Sequence, residues 1–289
     1  MAANRVVAVT LSAKVTEFKK SMSEAAQATR TVGTEGEKLA QVRDAMNQVG
    51  AAGVGMGALI GAGVAVAITK FADFDAAMSG VQASTQETTE NMDLLRAAAI
   101  DAGSSTVYSA TEAANAIEEL SKAGVSTADI LAGGLSGALD LAAAGQLGVA
   151  RAAEITATAL NQFGLSGDQA SHVADVLAAG AGKAMGSVED LANGLKFVGP
   201  VAASMGISLE ETAGVLALFA QQGIIGEQAG TSLRGVLSSL TAPSAQARIE
   251  IERLGLTLYD SQGNFLGLEN AAEQLSGAYT TMDLSLIHI

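Results

Sequence analysis

Between Phe71 and Leu240, apolar residues recur three and four positions apart, the spacing of helices with one buried face. Ala113, Ile117 and Leu120 form one stripe, and Leu131, Leu135 and Leu139 form the next. Val188, Leu191, Leu195 and Val198 form another, followed by Leu209, Ala213, Leu216 and Ala220. Three short matches separate stripes of this kind: Gly124-Val-Ser126, Gly164-Leu-Ser166 and Gly206-Ile-Ser208, with glycines 40 and 42 residues apart. Glycine takes the left-handed conformation that closes a helix, the aliphatic residue folds back on the core, and the serine caps the next helix. Gln169 and Glu211 stand three residues after their serines, as a capping box requires, and Asp129 is a shorter variant. Ser109 before Glu112 and Ser187 before Asp190 repeat the device upstream. The pattern predicts an all-α fold of about three helical hairpins, stacked or bundled, with a repeat of roughly 41 residues.

The flanks read differently. Residues 1–48 carry a narrow stripe, Val15, Phe18 and Met22, then Leu39, Val42 and Met46, on one or two polar helices. That fits a solvent-exposed helix or a self-associating coiled-coil arm. Residues 49–69 lie in an uncharged Gly/Ala-rich run from Ala45 to Thr69, about 37 Å long as a helix. Gly53, Gly57 and Gly61 fall on one face, a small-residue pattern that lets two helices approach closely in lipid. Glycine and alanine are weakly apolar, so a linker or a helix packed on protein is the competing reading. Residues 70–241 form the hairpin core. In residues 242–289, a helix to Leu254 precedes Leu256–Tyr259, the turn Asp260–Asn264 and Phe265-Leu266, which predicts a small β-hairpin. Asp260, Gly263 and Asn264 lack the ligand spacing and closing glutamate of a calcium loop.

Composition narrows the chemistry. Apolar residues reach 49% while aromatics are 3% and Trp is absent, so helices must pack through small side chains. Residues 1–48 hold seven Lys/Arg and five Asp/Glu, so the net charge of −14 leaves −16 on residues 49–289. An acidic body argues against specific nucleic-acid recognition, which needs clustered Lys and Arg. Without cysteine there is no disulfide, thiolate nucleophile or Cys-based zinc site. Met1–Thr10 lacks a signal-peptide pattern. No Gly-x-Ser-x-Gly elbow, P-loop or His-Glu-x-x-His motif occurs. His172 lies between Asp168 and Asp175 on one helix and reads as a surface histidine between carboxylates. Glu118-Glu119 and Glu210-Glu211 read as solvated or first-turn acids. The sequence predicts no enzyme, no cofactor and no metal site.

Several segments together resemble the conserved core of phage tail tape-measure proteins. They are Phe71-Ala-Asp-Phe-Asp-Ala-Ala-Met78 with Val81 and Thr85, Thr106–Ala110, Glu119–Gly124, Val173–Asp175, Val198-Gly-Pro200 and Met205–Glu211. The most specific is Gln222–Thr231 with Leu233-Arg234, in which Gly223, Gly226, Ala229, Gly230, Thr231, Leu233 and Arg234 carry the signature. The resemblance covers roughly residues 71–275. It implies a structural virion component in the tail lumen that sets tail-tube length during assembly in the host cytoplasm. It also implies help for DNA crossing the host envelope, which the uncharged run would suit at the inner membrane. Tail-tube, tail-tip and tail-assembly chaperone proteins are the implied partners, together with self-association. A membrane-active pore-forming helical protein unrelated to tails is the alternative. The ending Leu284–Ile289 does not continue the family pattern, which predicts an N-terminal fragment.

Overall fold

The computed structural model describes residues 57–183 and 185–281. The chain divides into two units, Met1–Phe71 and Ala72–Ile289. Eleven helices and no strand are present among the described residues. Helix α1 spans Gly57–Thr85, α2 Thr89–Ser105 and α3 Ala110–Lys122. A single turn, Thr127–Asp129, and a π turn, Ile130–Gly134, lead into α4, Leu135–Gly145. Helix α5 is Val149–Phe163, and a 3-10 turn, Gly167–Gln169, opens α6, Ala170–Gly182. Then follow α7 Val188–Ser204, α8 Leu209–Gln221, α9 Gly226–Thr241, α10 Ala245–Arg253 and α11 Leu268–Thr281.

Alternate helices stack on one another. Helix α3 packs on α5, α5 on α7 and α7 on α9, while α4 packs on α6 and α6 on α8. Two helical layers result, with each hairpin touching chiefly its neighbours, as in helical-repeat proteins. The core between the layers is aliphatic: Ile117, Leu120, Leu141, Leu177, Leu216, Leu233 and Leu237 are fully buried among many alanines. Helix α2 packs on α3, and Phe74, Met78 and Val81 from α1 join the same core.

Alanine and glycine at the crossings set the closeness of this packing. A β-carbon on Gly137 of α4 would lie 2.3 Å from the Ala170 carbonyl carbon of α6. One on Gly167 would lie 2.0 Å from the Asp129 carbonyl oxygen. Backbones therefore touch where larger residues would hold the hairpins apart. Thr156, in the middle of α5, is 0% exposed and its hydroxyl has no hydrogen-bond partner. A buried hydroxyl without a partner is unfavourable. Thr156→Val keeps the shape and is expected to stabilise the chain by about 1 kcal/mol. An unchanged or lowered denaturation midpoint would show that the hydroxyl is satisfied in solution.

Two expectations need correction. The stripe Leu131, Leu135, Leu139 is not one continuous face: Leu135 and Leu139 are buried, but Leu131 is 39% exposed. Gly133 sits at φ 155° inside the π turn, which shifts the register between Leu131 and Leu135. The C-terminal β-hairpin is also absent; Tyr259 and Phe265 form one isolated antiparallel bridge. The Asp260 carboxylate instead gathers the turn, accepting from the backbone N–H groups of Gln262 and Asn264 at 2.8 Å each. The Gln274 carboxamide then takes both backbone groups of Thr257, accepting from its N–H and donating to its C=O at 2.7 Å each. A side chain occupies the position where a strand ladder would have continued.

Candidate functional site

Three features concentrate the sequence signals: the hairpin turns, the polar links between hairpins, and the segment from Gln222 to Arg234. In the turns, Gly124, Gly164 and Gly206 adopt φ of 88°, 63° and 74°. The aliphatic residue that follows each one bonds back across the helix end. Val125 N–H donates to the Leu120 carbonyl, Leu165 to Leu160 and Ile207 to Ala202, at 2.9–3.0 Å. Ser126 accepts from the Asp129 N–H and Ser208 from the Glu211 N–H, while Ser166 forms a capping box with Gln169.

The third residue after each of two capping serines does more than close its own helix. The Asp129 carboxylate accepts from the Ser126 hydroxyl of its own cap at 2.6 Å and also from the Gly167 N–H of the next hairpin at 2.9 Å. Glu211 does not close the expected capping box with Ser208; its N–H donates to the Ser208 hydroxyl, while its carboxylate accepts from the Leu268 and Glu269 N–H groups at the start of α11. The Ser126 hydroxyl and then the Gly167 amide hold the Asp129 carboxyl below the usual aspartate range. A lowered folded-state pKa contributes stability that is present above the unfolded value and lost as pH falls through the folded one. The stability advantage of the native chain over Asp129→Asn is therefore expected at neutral pH and should shrink below about pH 4. Denaturant midpoints measured from neutral to acid pH test this; a pH-independent gap would assign the difference to packing.

Further links join residues 38 apart. The Arg151 guanidinium reaches Glu189 at 2.7 Å, and a second nitrogen holds Glu154 at 2.6 Å, which raises the Arg151 pKa. The Asn161 amide donates to the Ala123 carbonyl at 2.6 Å, and the Gln221 amide to the Lys183 carbonyl at 3.1 Å. His172 meets Glu210 at 2.6 Å rather than Asp168 or Asp175, so its carboxylate partner lies on the next hairpin. The hydrogen bond from His172 lowers the Glu210 pKa. Glu210 and Glu211 thus both link hairpins instead of only facing solvent, and Lys122 bridges Glu118 and Glu119 at 2.8 and 3.1 Å. These five links each span 38 residues, and the hairpins themselves recur every 38 to 42 residues, from the helix starts at Ala110, Val149, Val188 and Gly226 and the turn glycines Gly124, Gly164 and Gly206.

The segment Gln222–Arg234 forms a fourth turn and the start of α9. Gly223 has φ 82° and Ile224 N–H donates to the Phe219 carbonyl at 3.0 Å, but no serine follows and Gly226 is itself left-handed at φ 58°. Ala229 and Leu233 are buried. A β-carbon on Gly230 would lie 2.2 Å from the Gly194 carbonyl oxygen of α7, so the two helices cross backbone to backbone. Thr231 and Arg234 are exposed. The Thr231 hydroxyl donates to the Glu227 carbonyl at 2.8 Å, and among the described residues Arg234 has no ion-pair partner. The sequence reading missed Gly194, Arg151, Asn161 and Gln221, and also two turns that end with Leu147 and Leu256 bonding back across a helix end. Gln146 fills the glycine position of the first of these at φ 53°, and neither turn is followed by a capping serine.

Gly57 and Gly61 lie in α1. Gly53, the 1–48 arm and residues 282–289 lie outside the described residues. Among the described residues no single helix is long and apolar enough to cross a membrane. One strongly bent pair, Thr127–Gly145 with Val149–Phe163, meets that test by length and composition, but it contributes much of the buried core. No group of three or more His, Asp or Glu side chains among the described residues is placed to hold a metal ion.

Comparison with known proteins follows the same segment. A tape measure protein of Pneumococcus phage Dp-1 is 38% identical over 253 residues, which are 85% of this chain and 22% of that protein. A probable tape measure protein of Escherichia phage P2 is 32% identical over 222 residues, 76% of this chain and 27% of that protein. The chain thus spans about a quarter of the length of these relatives. No solved structure matches it. The family described as phage-related minor tail protein matches residues 96–285, from within α2 to beyond α11. With the stacked hairpins and the Gln222–Arg234 segment inside that match, the chain belongs to the phage-related minor tail protein family.

Proposed function

We propose that this chain is part of a tape-measure protein that sets tail-tube length during phage tail assembly. The observation that carries the reading is the similarity, over most of the chain, to two proteins whose names give that role. The stacked, acidic surface fits a structural component with protein partners: tail-tube, tail-tip and tail-assembly chaperone proteins, and further copies of itself. On this reading the protein resides in the virion tail, passes through the host cytoplasm during assembly, and assists DNA entry when the tail engages the host inner membrane. The uncharged run from Ala45 to Thr69 is the segment suited to that last step.

The test is genetic. In a phage encoding this chain, deleting one 38-residue hairpin should shorten the tail. The decrement should be about 57 Å if the tape runs as a helix at about 1.5 Å per residue. Electron micrographs of purified particles measure it. Intact tails of unchanged length would sink the tape-measure reading.

A further inference from the structure

We propose that the hairpin stack is a stepwise-opening device, releasing one hairpin after another from its C-terminal end. The inference does not depend on the tail reading. Its first support is that the links between hairpins join only adjacent hairpins. Asp129–Gly167, Asn161–Ala123, Arg151–Glu189, His172–Glu210 and Gln221–Lys183 each join one hairpin to the next and none reaches further. The helix layers follow the same rule, each helix packing on the one two places along. In such a nearest-neighbour array, removing an end unit breaks one junction and leaves the others intact.

The second support is the difference between the two ends. At the N-terminal end, Phe74, Met78 and Val81 of α1 and Leu95 and Ala99 of α2 are buried in the common core. Arg96 ties these helices together, 3.1 Å from Asp75 and 5.5 Å from the centre of the Phe74 ring. At the C-terminal end, α10 buries no residue. Helix α11 is anchored through its first turn by Glu211 and buries Ala271, while Leu275 and Tyr279 further along are exposed. An open groove remains between α8 and α11, lined by Glu210, Glu211, Glu269 and Glu273. Little apolar surface is lost when this end leaves, so opening begins there.

Stretching the full chain between handles at its two ends tests the proposal. The expected record shows a first event carrying α10 and α11, then separate events of up to about 38 residues, each up to about 130 Å of extended chain. A flexible insertion of about ten residues after Gly164, at an exposed turn, should lengthen one event and not the first. A single event releasing the whole body, or a first event lengthened by the insertion, would overturn the proposal. Hydrogen exchange on the unstretched full chain gives an independent check. Amides of α10 and α11 should exchange fastest and those of α3–α5 slowest. Equal protection along the stack would overturn the proposed order.

Discussion

Gly230→Ala is expected to destabilise the chain by about 2–3 kcal/mol, although alanine is the better helix former. The added methyl would stand 2.2 Å from the Gly194 carbonyl oxygen and 2.9 Å from the Gly194 Cα. Both are backbone atoms inside α7, so neither can rotate away, and the two helices must separate. Separation opens space beside Leu233, Ala229 and Leu195, all buried. Against this stands a helix-propensity gain of about 1 kcal/mol, which the crossing outweighs. Gly235 supplies the control, because it lies in the same helix with nothing within 4 Å of an added β-carbon. Gly235→Ala should therefore stabilise the chain by up to about 1 kcal/mol. Urea unfolding of both variants decides the matter: opposite signs support the backbone crossing, and equal effects would refute it.

The second large effect divides the signature segment. Leu233→Ala should cost about 2–5 kcal/mol, because Leu233 is buried at 1% exposure between α9 and its neighbours. Arg234→Ala, one residue on and facing solvent, should change stability by no more than about 0.5 kcal/mol. If the segment also serves assembly, phage carrying Arg234→Ala should make fewer complete tails from a normally folded protein. Leu233→Ala should lower tail yield by lowering the amount of folded chain. Circular dichroism melts and particle counts separate the two routes. Full tail yield from Arg234→Ala would remove that side chain from any partner surface.

Local chemistry explains which parts of the fold were legible in the sequence. Gly124, Gly164 and Gly206 each stand beside an aliphatic residue and a capping serine, so all parts of those turns lie within a few positions of one another. The turn at Gln146 carried only the aliphatic residue, Leu147, since a glutamine occupies the left-handed position and no serine follows. The stripe through Leu131 misled because periodicity assumes an unbroken helix, and Gly133 inserts a π turn. The β-hairpin misled for a different reason: the competitor for Thr257 is Gln274, 17 residues downstream. The crossings were the least legible. Gly194 and Gly230 are ordinary small residues in their own helices, and only the fold places one on the other. Arg151 and Glu189 were equally silent, because a salt bridge across 38 residues leaves no short-range pattern.

The hairpin step also bears on how such a chain can change length over evolutionary time. Duplicating one whole hairpin keeps every helix in its own layer, and only the side-chain links at the single new joint, such as Arg151 with Glu189, lose their partners. An insertion of half a hairpin inside the stack would put an α3-type helix where an α4-type helix belongs. Glycines would then face large side chains, and charges would face aliphatic ones. Unequal recombination within the body should therefore survive in whole graduations, giving natural variants whose lengths cluster at multiples of one hairpin.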